Sequence, residues 1–350
     1  MDSALFQDNS RQMPVTEARQ LLSVGSFTTE NGAEIEDCVI AYETWGELNA
    51  AKDNAVLVCH AISGDSHAVG WWDRIVGPGK AVDTDKYFVI CSNALGGCQG
   101  TTGPASLDRE GRRLGSRFPQ ISVGDMVELQ RHLIDHLGIQ QLRMTCGGSM
   151  GGMQALEWSL RFPDRVKKCW MTASTRTHSA MQIAFNEAAR QAILRDPGYQ
   201  NGDYTEDTGP VHGLVVARIV GHLSYLSDAA FQNKFGRNRQ NESQFSVESY
   251  LSYQGEKFTK RFDAQSLVVL SRAIDAYEAT SLDSAQCEYL FTSYKSDWIY
   301  PPHQSEELYS LAQAAGKKCR YVDIDLPYGH DAFLLDGELQ GKEVTEFLAS

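Results

Sequence analysis

The sharpest chemical signal in the sequence is a serine set among glycines, at residues 147–151 (GGSMG). Apolar residues typical of a strand precede this pentapeptide and a helical pattern follows it, so Ser149 is predicted at a sharp strand-to-helix turn. Glycines two positions to either side let neighbouring backbone pass without clashing with a Cβ atom. We interpret Ser149 as a nucleophile at the positive end of a helix. The alternative is a glycine-rich turn without chemistry.

A serine hydroxyl becomes a good nucleophile only when a base removes its proton. Where such a turn carries a catalytic serine, the acid and then the histidine follow it along the chain. Asp297 comes just after a strand predicted at 288–292, and His330 lies in the loop after the last predicted strand. We predict that His330 takes the proton of Ser149, and that Asp297 orients the imidazole and offsets its developing charge.

Other acids and histidines fit this order less well. Asp283 precedes the late strand and Asp323 lies within the last one, although the chosen acid could itself be a simple turn residue. His303 comes too early for the loop after the last strand. His60 and His67 precede the nucleophile and break the chain order.

An oxyanion hole needs two backbone N–H donors. One is expected from Met150, the residue after the nucleophile. The second should come from the loop that follows the strand predicted at 55–59, where we place it on Ile62, with Ala61 as the alternative.

Short apolar strands alternate with amphipathic helices, which predicts an α/β fold with a mostly parallel sheet covered by helices on both faces. An Asn31-Gly32 turn signal ahead of them predicts an antiparallel hairpin, and the polar stretch to about residue 20 is expected to be loosely attached. Between 177 and 281 the patterns are helical only, so we predict a core domain of residues 1–176 and 282–350 with a helical lid, 177–281, inserted into it. The strands are predicted at 55–59, 87–91, 142–146, 167–173, 288–292 and 319–324, and the helices at 123–137, 154–162, 182–194, 213–226, 246–253, 267–278 and 341–348.

The composition of the chain limits which partners, cysteine chemistry and compartment are expected. The chain has 350 residues and a formal net charge of −13, so neither nucleic acid nor a membrane surface is an expected partner. Its eight cysteines form no C-x-x-C pair, which favours buried free thiols over disulfides or a metal site. The sequence has no run of about 18 apolar residues and no basic start followed by an apolar stretch, so a cytoplasmic protein is expected.

Together these motifs resemble the homoserine O-acyltransferases of the α/β-hydrolase superfamily, the homoserine O-acetyltransferase family. The resemblance covers nearly the whole chain and implies an α/β-hydrolase fold with a helical lid. Its motifs are residues 42–50 (YETWGELNA), 59–65 (CHAISGD), 71–73 (WWD), 77–79 (GPG), 92–98 (SNALGGC), 103–104 (GP), 147–158 (GGSMGGMQALEW), 184–187 (AFNE), 221–228 (GHLSYLSD) and 234–237 (KFGR).

The activity that this resemblance implies is acyl transfer from an acyl-CoA to the side-chain hydroxyl of L-homoserine, in methionine biosynthesis, through an acyl-Ser149 intermediate. Acetyl-CoA is then a co-substrate, and no cofactor is permanently bound. Residues 100–104 (GTTGP) look more like the acetyl-transferring members, but a succinyl donor and a serine acceptor stay open. The apolar lid helices and the resemblance both favour a homodimer.

The resemblance also implies three substrate residues. Arg218 lies on an otherwise apolar predicted helix, where a guanidinium could grip an α-carboxylate bidentately. Asp331 would hold the α-ammonium, and Tyr225 would line the pocket. The alternatives are a surface ion pair for Arg218, a loop cap for Asp331 and core packing for Tyr225.

Two rival functions share the same residues. An esterase or other hydrolase would use the same triad, because neither fold nor triad chooses between water and an alcohol as acceptor. A non-catalytic binding protein could also keep the fold, but an intact serine, aspartate and histidine in this order speak against it.

Overall fold

The computed structural model describes residues 18–205 and 207–350; most of the N-terminal stretch that we expect to be loosely attached lies outside them. The strands are β1 (Gln20–Thr28), β2 (Glu34–Trp45), β3 (Ala55–Cys59), β4 (Val76–Gly77), β5 (Val82–Asp83), β6 (Phe88–Ser92), β7 (Met144–Gly148), β8 (Lys168–Thr172), β9 (Glu288–Tyr294) and β10 (Cys319–Ile324). The helices are α1 (Ala68–Trp71), α2 (Val123–His136), α3 (Met150–Arg161), α4 (Ala180–Leu194), α5 (Val211–Tyr225), α6 (Asp228–Lys234), α7 (Ser246–Thr259), α8 (Ala264–Asp275), α9 (Pro302–Ala314), α10 (Ala332–Leu335) and α11 (Leu339–Ala349).

The main sheet has eight strands in the order β1-β2-β6-β3-β7-β8-β9-β10. From β6 to β10 all neighbours are parallel, whereas β1 pairs antiparallel with β2 and β2 pairs antiparallel with β6. The predicted mostly parallel sheet and the predicted hairpin are therefore both confirmed. Gly32 supplies the positive φ of 83° that the hairpin turn needs.

The sheet buries both of its faces, as the continuous apolar run of β3 requires. Alternate residues of β3 enter two separate cores: Leu57 packs in one with α2, α3, α8 and α9, and Val58 in the other with α1, α10 and α11. In the second core the rings of Trp72 and Trp170 stack at 5.0 Å. The indole N–H of Trp72 also donates to the carbonyl of Phe333 at 2.9 Å, which anchors the chain close to His330.

Five helices, α4 to α8, lie between β8 and β9, and we call them the helical insertion. In the described part of residues 177–281 no strand joins the main sheet, and a single antiparallel bridge between Thr177 and Glu278 closes the base of the insertion. The domain boundaries drawn from the sequence stay a prediction, but they fall next to this bridge.

Several predicted element ends are wrong. Helix α3 begins at Met150 rather than at 154, directly after the nucleophile candidate. Helix α7 continues to Thr259 instead of ending at 253, because Gly255 does not break it: a Cβ there would lie 2.6 Å from Val215, so the glycine lets α7 approach α5. Helix α6 was not predicted from the sequence.

The strand-to-helix turn at residues 147–151, which we call the elbow, is tightly packed. Substitutions at two helical glycines can test this packing. A Cβ on Gly151 would lie 2.0 Å from the backbone oxygen of Cys59, whereas one on Gly341 would meet only side-chain atoms at 3.8 Å. We expect Gly151→Ala to lower the free energy of unfolding by more than about 2 kcal/mol, because backbone must move. The control Gly341→Ala should leave it unchanged or raise it by up to about 1 kcal/mol. Urea unfolding measures both, and equal stability of the two variants would contradict this account.

Candidate active site

Ser149 stands between β7 and α3 with φ 56° and ψ −127°, a backbone conformation that costs on the order of 1–3 kcal/mol for a residue other than glycine. Hydrogen bonds on both sides hold this turn. The Ser149 N–H donates to the carbonyls of Thr172 at 3.2 Å and Ala173 at 3.1 Å. The Ser149 carbonyl accepts from the Gly152 N–H at 2.9 Å and from the Ser174 hydroxyl at 2.8 Å. The strained turn is therefore fixed by β8 and by the segment after it.

The glycines around Ser149 are needed because other atoms approach them closely. A Cβ on Gly147 would lie 2.6 Å from the carbonyl oxygen of Cys59, and one on Gly148 would lie 2.5 Å from the ring of Phe333. Phe333 follows His330 in the chain by three residues. The elbow and the histidine loop therefore pack directly against each other.

Asp297 and His330 are brought together as the sequence predicts. One Asp297 carboxylate oxygen lies 2.7 Å from Nδ1 of His330, and both side chains are buried. The other oxygen accepts from the backbone N–H groups of Ile299 at 3.1 Å and Tyr300 at 2.8 Å. A carboxylate held in this way keeps the proton on Nδ1 and leaves Nε2 as the basic nitrogen. The pair can therefore serve as an oriented general base.

Two aromatic rings pack against the imidazole of His330. The Tyr300 ring stacks on the imidazole of His330 with centroids 4.7 Å apart, and the edge of Phe333 meets the same imidazole at 5.4 Å. Tyr300 also lines the same cavity as Ser149. The candidate nucleophile and base thus both lie next to Tyr300, beyond the carboxyl ends of β7, β9 and β10.

The alternative bases and acids have other partners or face solvent. Nε2 of His60 accepts from the Ala94 N–H at 2.9 Å and Nδ1 lies 2.7 Å from the Ala61 carbonyl, so both ring nitrogens are engaged by backbone; burial lowers the pKa of this imidazole. Asp323 accepts from the Ser293 hydroxyl at 2.7 Å. The others are His67, which pairs with Glu43, and the exposed Asp283 and His303.

The two expected oxyanion donors lie on either side of Ser149. Met150 is the first residue of α3, and the first N–H groups of a helix have no acceptor within it. Ile62 lies in the loop after β3 and lines the same cavity as Ser149, whereas Ala61 packs towards the opposite core. This placement favours Ile62 over Ala61, and both donor assignments stay predictions.

A cavity lies between Ser149 and the helical insertion. Its wall combines apolar side chains such as Phe258 and Ile274 with Arg218, Tyr225 and Tyr300. Four of the predicted site residues, Ser149, Ile62, Arg218 and Tyr225, therefore line one cavity.

Arg218 on α5 places a cation in this cavity. Its Nη1 lies 3.4 Å from the Ser63 hydroxyl, and its guanidinium lies over the rings of Phe258 at 4.7 Å and Tyr225 at 6.0 Å. Its buried Nε has no hydrogen-bond partner among the described residues. A buried donor without an acceptor is costly, so the guanidinium is suited to an anionic ligand.

Asp331 supplies the opposite charge nearby. Burial raises the pKa of its carboxyl group, while the charges of His330, Arg218 and Lys234 lower it. Between the two charges lies Tyr225, whose ring centroid is 5.8 Å from that of His330. Burial also raises the pKa of Tyr225; Arg218 lowers it and Asp331 raises it, so all three groups interact. Their roles in substrate binding stay predictions.

Sequence reasoning missed a polar group on the insertion side of the cavity, formed by His178, Asn186, Arg190, Asp275 and Tyr300. A signal for it exists in the spacing: Asn186 and Arg190 are four residues apart and so share one face of α4. Nothing in the sequence linked that face to Asp275, which lies 89 positions after Asn186.

The described residues give no support for a metal site. They contain no group of three or more histidine, cysteine, aspartate or glutamate side chains placed to hold a metal ion. All eight cysteines are free, and burial raises the pKa of Cys59 to about 12. No single described helix is long and apolar enough to cross a membrane; α5 and α6 pass that test only as a pair, and they are bent by 105°.

Known proteins share this architecture over most of its length. Residues 54–336 match the family described as the alpha/beta hydrolase fold, which confirms the predicted fold. A homoserine O-acetyltransferase of Leptospira biflexa is 47% identical over 95% of this chain and 93% of its own. Among solved structures, a homoserine O-acetyltransferase from Bacillus anthracis is 28% identical, with a TM-score of 0.89 over 95% of this chain and 97% of its own. Esterase E22 is 27% identical, with a TM-score of 0.89 over 94% of this chain and 99% of its own.

The geometry of Asp297 leads to a prediction for Asp297→Asn. An amide cannot hold the imidazole in the same tautomer, so we expect kcat on p-nitrophenyl acetate to fall by about ten-thousandfold. The matched control is Asp323→Asn, which removes a carboxylate of β10 and should keep wild-type activity. An Asp297→Asn variant as active as the control would remove Asp297 from the triad.

Proposed function

Because the chain belongs to the homoserine O-acetyltransferase family of α/β-hydrolases, we propose that it transfers an acetyl group from acetyl-CoA to the side-chain hydroxyl of L-homoserine, a step of methionine biosynthesis. The observation that carries this proposal is a pair of opposite charges near the triad: Arg218 lines the same cavity as Ser149, and Asp331 directly follows His330. Arg218 and Asp331 flank Tyr225, and both act on its hydroxyl electrostatically. An amino-acid zwitterion carries the complementary pair of charges.

In the first half-reaction His330 removes the proton of Ser149, and the serine oxygen attacks the thioester carbonyl. The tetrahedral oxyanion would accept hydrogen bonds from the N–H groups of Met150 and Ile62. When the intermediate collapses, the carbon–sulfur bond breaks and the CoA sulfur takes the proton from His330. The enzyme is left acetylated on Ser149.

In the second half-reaction the homoserine hydroxyl gives its proton to His330 and attacks the acetyl carbonyl. The bond to the Ser149 oxygen then breaks, that oxygen takes the proton back, and O-acetylhomoserine leaves. One site serves both halves, so the kinetics should be ping-pong. Asp297 offsets the imidazolium charge in each half without becoming protonated itself.

Selection of homoserine would come from groups around the triad. We assign the α-carboxylate to the Arg218 guanidinium, whose Nε has no protein partner in the described residues. We assign the α-ammonium to Asp331, and we place Tyr225 between them. These groups would hold the homoserine hydroxyl next to the acyl-enzyme. They would therefore lower the activation barrier for attack by the bound alcohol but not for attack by water.

A hydrolase is the second candidate, because esterase E22 has the same fold at the same TM-score as the Bacillus anthracis acetyltransferase. The charged pair near the triad favours transfer, since hydrolysis needs no acceptor site. A succinyl donor or a serine acceptor is a narrower variation on the same chemistry, but the relatives are homoserine O-acetyltransferases, which supports an acetyl donor and a homoserine acceptor.

Assembly and compartment belong to the proposal as well. We infer a homodimer formed through the insertion, because its helices expose large apolar side chains: Met181, Ile183, Val211, Val216 and Leu223. The eight free cysteines suit a reducing compartment, and we place the enzyme in the cytoplasm. Acetyl-CoA acts as a co-substrate that leaves as CoA.

The direct test is CoA release from acetyl-CoA with and without L-homoserine. We expect fast, sustained release only when homoserine is present, since the acyl-enzyme then has an acceptor. Succinyl-CoA as donor and L-serine as acceptor are run in parallel and should be slower. Equally fast release without homoserine would show a hydrolase, and Ser149→Ala, which should fold but not turn over, is the control for background hydrolysis.

Substrate recognition can be tested by matching two variants to two analogues. 3-Aminopropan-1-ol lacks the carboxylate of homoserine and 4-hydroxybutanoate lacks its ammonium. We expect wild-type enzyme to prefer homoserine over each, by about ten- to hundredfold in kcat/KM. Arg218→Lys should lose discrimination only against the first analogue, because lysine cannot make the bidentate contact.

Asp331→Asn should lose discrimination only against the second analogue. Each variant is thus the control for the other, since both change one charged residue near the triad. A uniform fall in kcat/KM for homoserine and both analogues would contradict the assignment of these residues to the two ends of the amino acid.

A further inference from the structure

The turn that carries the expected oxyanion donor Ile62 is held by two hydrogen bonds to one carbonyl group. The Ala61 carbonyl accepts from the Gly64 N–H at 2.8 Å and lies 2.7 Å from Nδ1 of His60. Nε2 of His60 accepts from the Ala94 N–H at 2.9 Å, so the neutral ring carries its proton on Nδ1 and donates it to the Ala61 carbonyl. Two donors therefore fix the direction of this carbonyl.

The direction of the Ala61 carbonyl decides where the Ile62 N–H points. Both groups belong to one peptide unit, and in a planar trans peptide the C=O and N–H bonds point in opposite directions. Since the carbonyl faces His60 and Gly64, the Ile62 N–H faces away from them, and it makes no hydrogen bond to another described residue. Ile62 lines the same cavity as Ser149, so this N–H is available to a developing oxyanion.

The helical insertion holds a second peptide unit of the same turn. Nη2 of Arg261, in the connection between α7 and α8, donates to the Ser63 carbonyl at 2.9 Å. This carbonyl shares a peptide unit with the Gly64 N–H, which is the donor to the Ala61 carbonyl. Fixing the one group therefore fixes the other. Two peptide units in series thus connect the Arg261 guanidinium to the Ile62 N–H.

Arg261 is itself held from both sides. Its guanidinium lies 5.4 Å from the centroid of the Phe258 ring, and its backbone carbonyl accepts from the side-chain amide of Gln99, in the core segment after β6. Burial lowers the pKa of the His60 imidazole, and the charge of Arg261 lowers it further, which favours the neutral ring that the turn requires. The guanidinium therefore supports both ends of the turn.

We propose that Arg261 is a positioning residue for the oxyanion hole, which holds the Ser63 carbonyl so that the Ile62 N–H points at the acyl oxygen. The helical insertion thereby orients an oxyanion donor in addition to lining the cavity. The inference rests on the proposed function in requiring that Ser149 is acylated and that Ile62 donates to the oxyanion. It does not depend on which alcohol accepts the acyl group.

The primary test is Arg261→Met, which keeps an unbranched apolar side chain next to Phe258 and removes the donor to Ser63. The initial burst of p-nitrophenol from p-nitrophenyl acetate measures acylation of Ser149. We expect the burst to slow by about tenfold, because the acyl oxygen loses a well-directed donor. A burst at the wild-type rate would overturn the proposal.

A second ester separates the oxyanion hole from general damage to the site. p-Nitrophenyl thionoacetate has sulfur in place of the carbonyl oxygen and releases the same p-nitrophenol when Ser149 attacks. Sulfur accepts hydrogen bonds only weakly, so its acylation rate depends little on the Ile62 N–H. We expect Arg261→Met to slow this burst by less than about threefold, which lowers the ratio of the two burst rates. Equal slowing on both esters would overturn the positioning role.

Arg113→Met is the matched control. Arg113 also joins the core to the insertion, because its Nη2 donates to the carboxylate of Asp263, two residues after Arg261, at 2.6 Å. The control loses a guanidinium contact at the same part of the insertion but leaves the turn untouched, so the ratio should stay at the wild-type value. The same fall in both variants would show an effect of seating the insertion and overturn the role of Arg261. If Arg261→Met does not fold, Arg261→Gln, with its shorter side chain, replaces it with the same expected ratio.

The design also separates this inference from the proposed function. A direct contact of Arg261 with CoA would raise KM for acetyl-CoA in Arg261→Met and leave both bursts unchanged, which would overturn the positioning role. The esters require neither CoA nor homoserine, so wild-type enzyme that fails to acetylate homoserine would refute the transferase proposal and leave the burst comparison valid. An unchanged ratio in Arg261→Met would refute the positioning role and leave the transferase proposal intact.

Discussion

The structure depends on one constraint, the strained turn at Ser149. Its backbone has a positive φ of 56°, and such a conformation persists only where the surroundings over-determine it. Here β3 passes so close that a Cβ on Gly151 would lie 2.0 Å from the Cys59 carbonyl oxygen. This close approach lets α3 pack against β3 and leaves Ser149 at the carboxyl edge of the sheet, between β7 and α3.

The helical insertion carries Arg218, and the end of its helix α5 also contacts the residues next to Asp297 and His330. After α5 the chain turns at Leu226, whose carbonyl accepts from the indole N–H of Trp298, next to Asp297, at 3.1 Å. Gly329, next to His330, is so close to this turn that a Cβ there would lie 2.5 Å from the backbone nitrogen of Ser227. The same junction therefore links the loops that carry Asp297 and His330 to α5, which carries Arg218.

This linkage bears on the choice between transfer and hydrolysis. Fold and triad are common to both reactions, as the likeness to esterase E22 shows. The helical insertion contributes a cation, Arg218 on α5, to the wall of the cavity, and the core contributes a carboxylate, Asp331, next to His330. Groups of opposite sign can hold a zwitterion in one orientation, and a fixed orientation favours attack by an alcohol over attack by water.

The sequence by itself determined most of the strands and helices and the chain order of the candidate residues Ser149, Asp297 and His330, because these depend on local patterns: apolar strands, the glycines around Ser149, and polar residues after strand ends. The family was indicated by the resemblance of its motifs. It did not determine where α7 ends, since Gly255 reads as a helix breaker until α5 is seen packed against it. Nor did it reveal Tyr300, His178 and Asp275 as one group. Their contacts join residues about a hundred positions apart, and only the packing of the insertion on the core brings such residues within hydrogen-bonding distance.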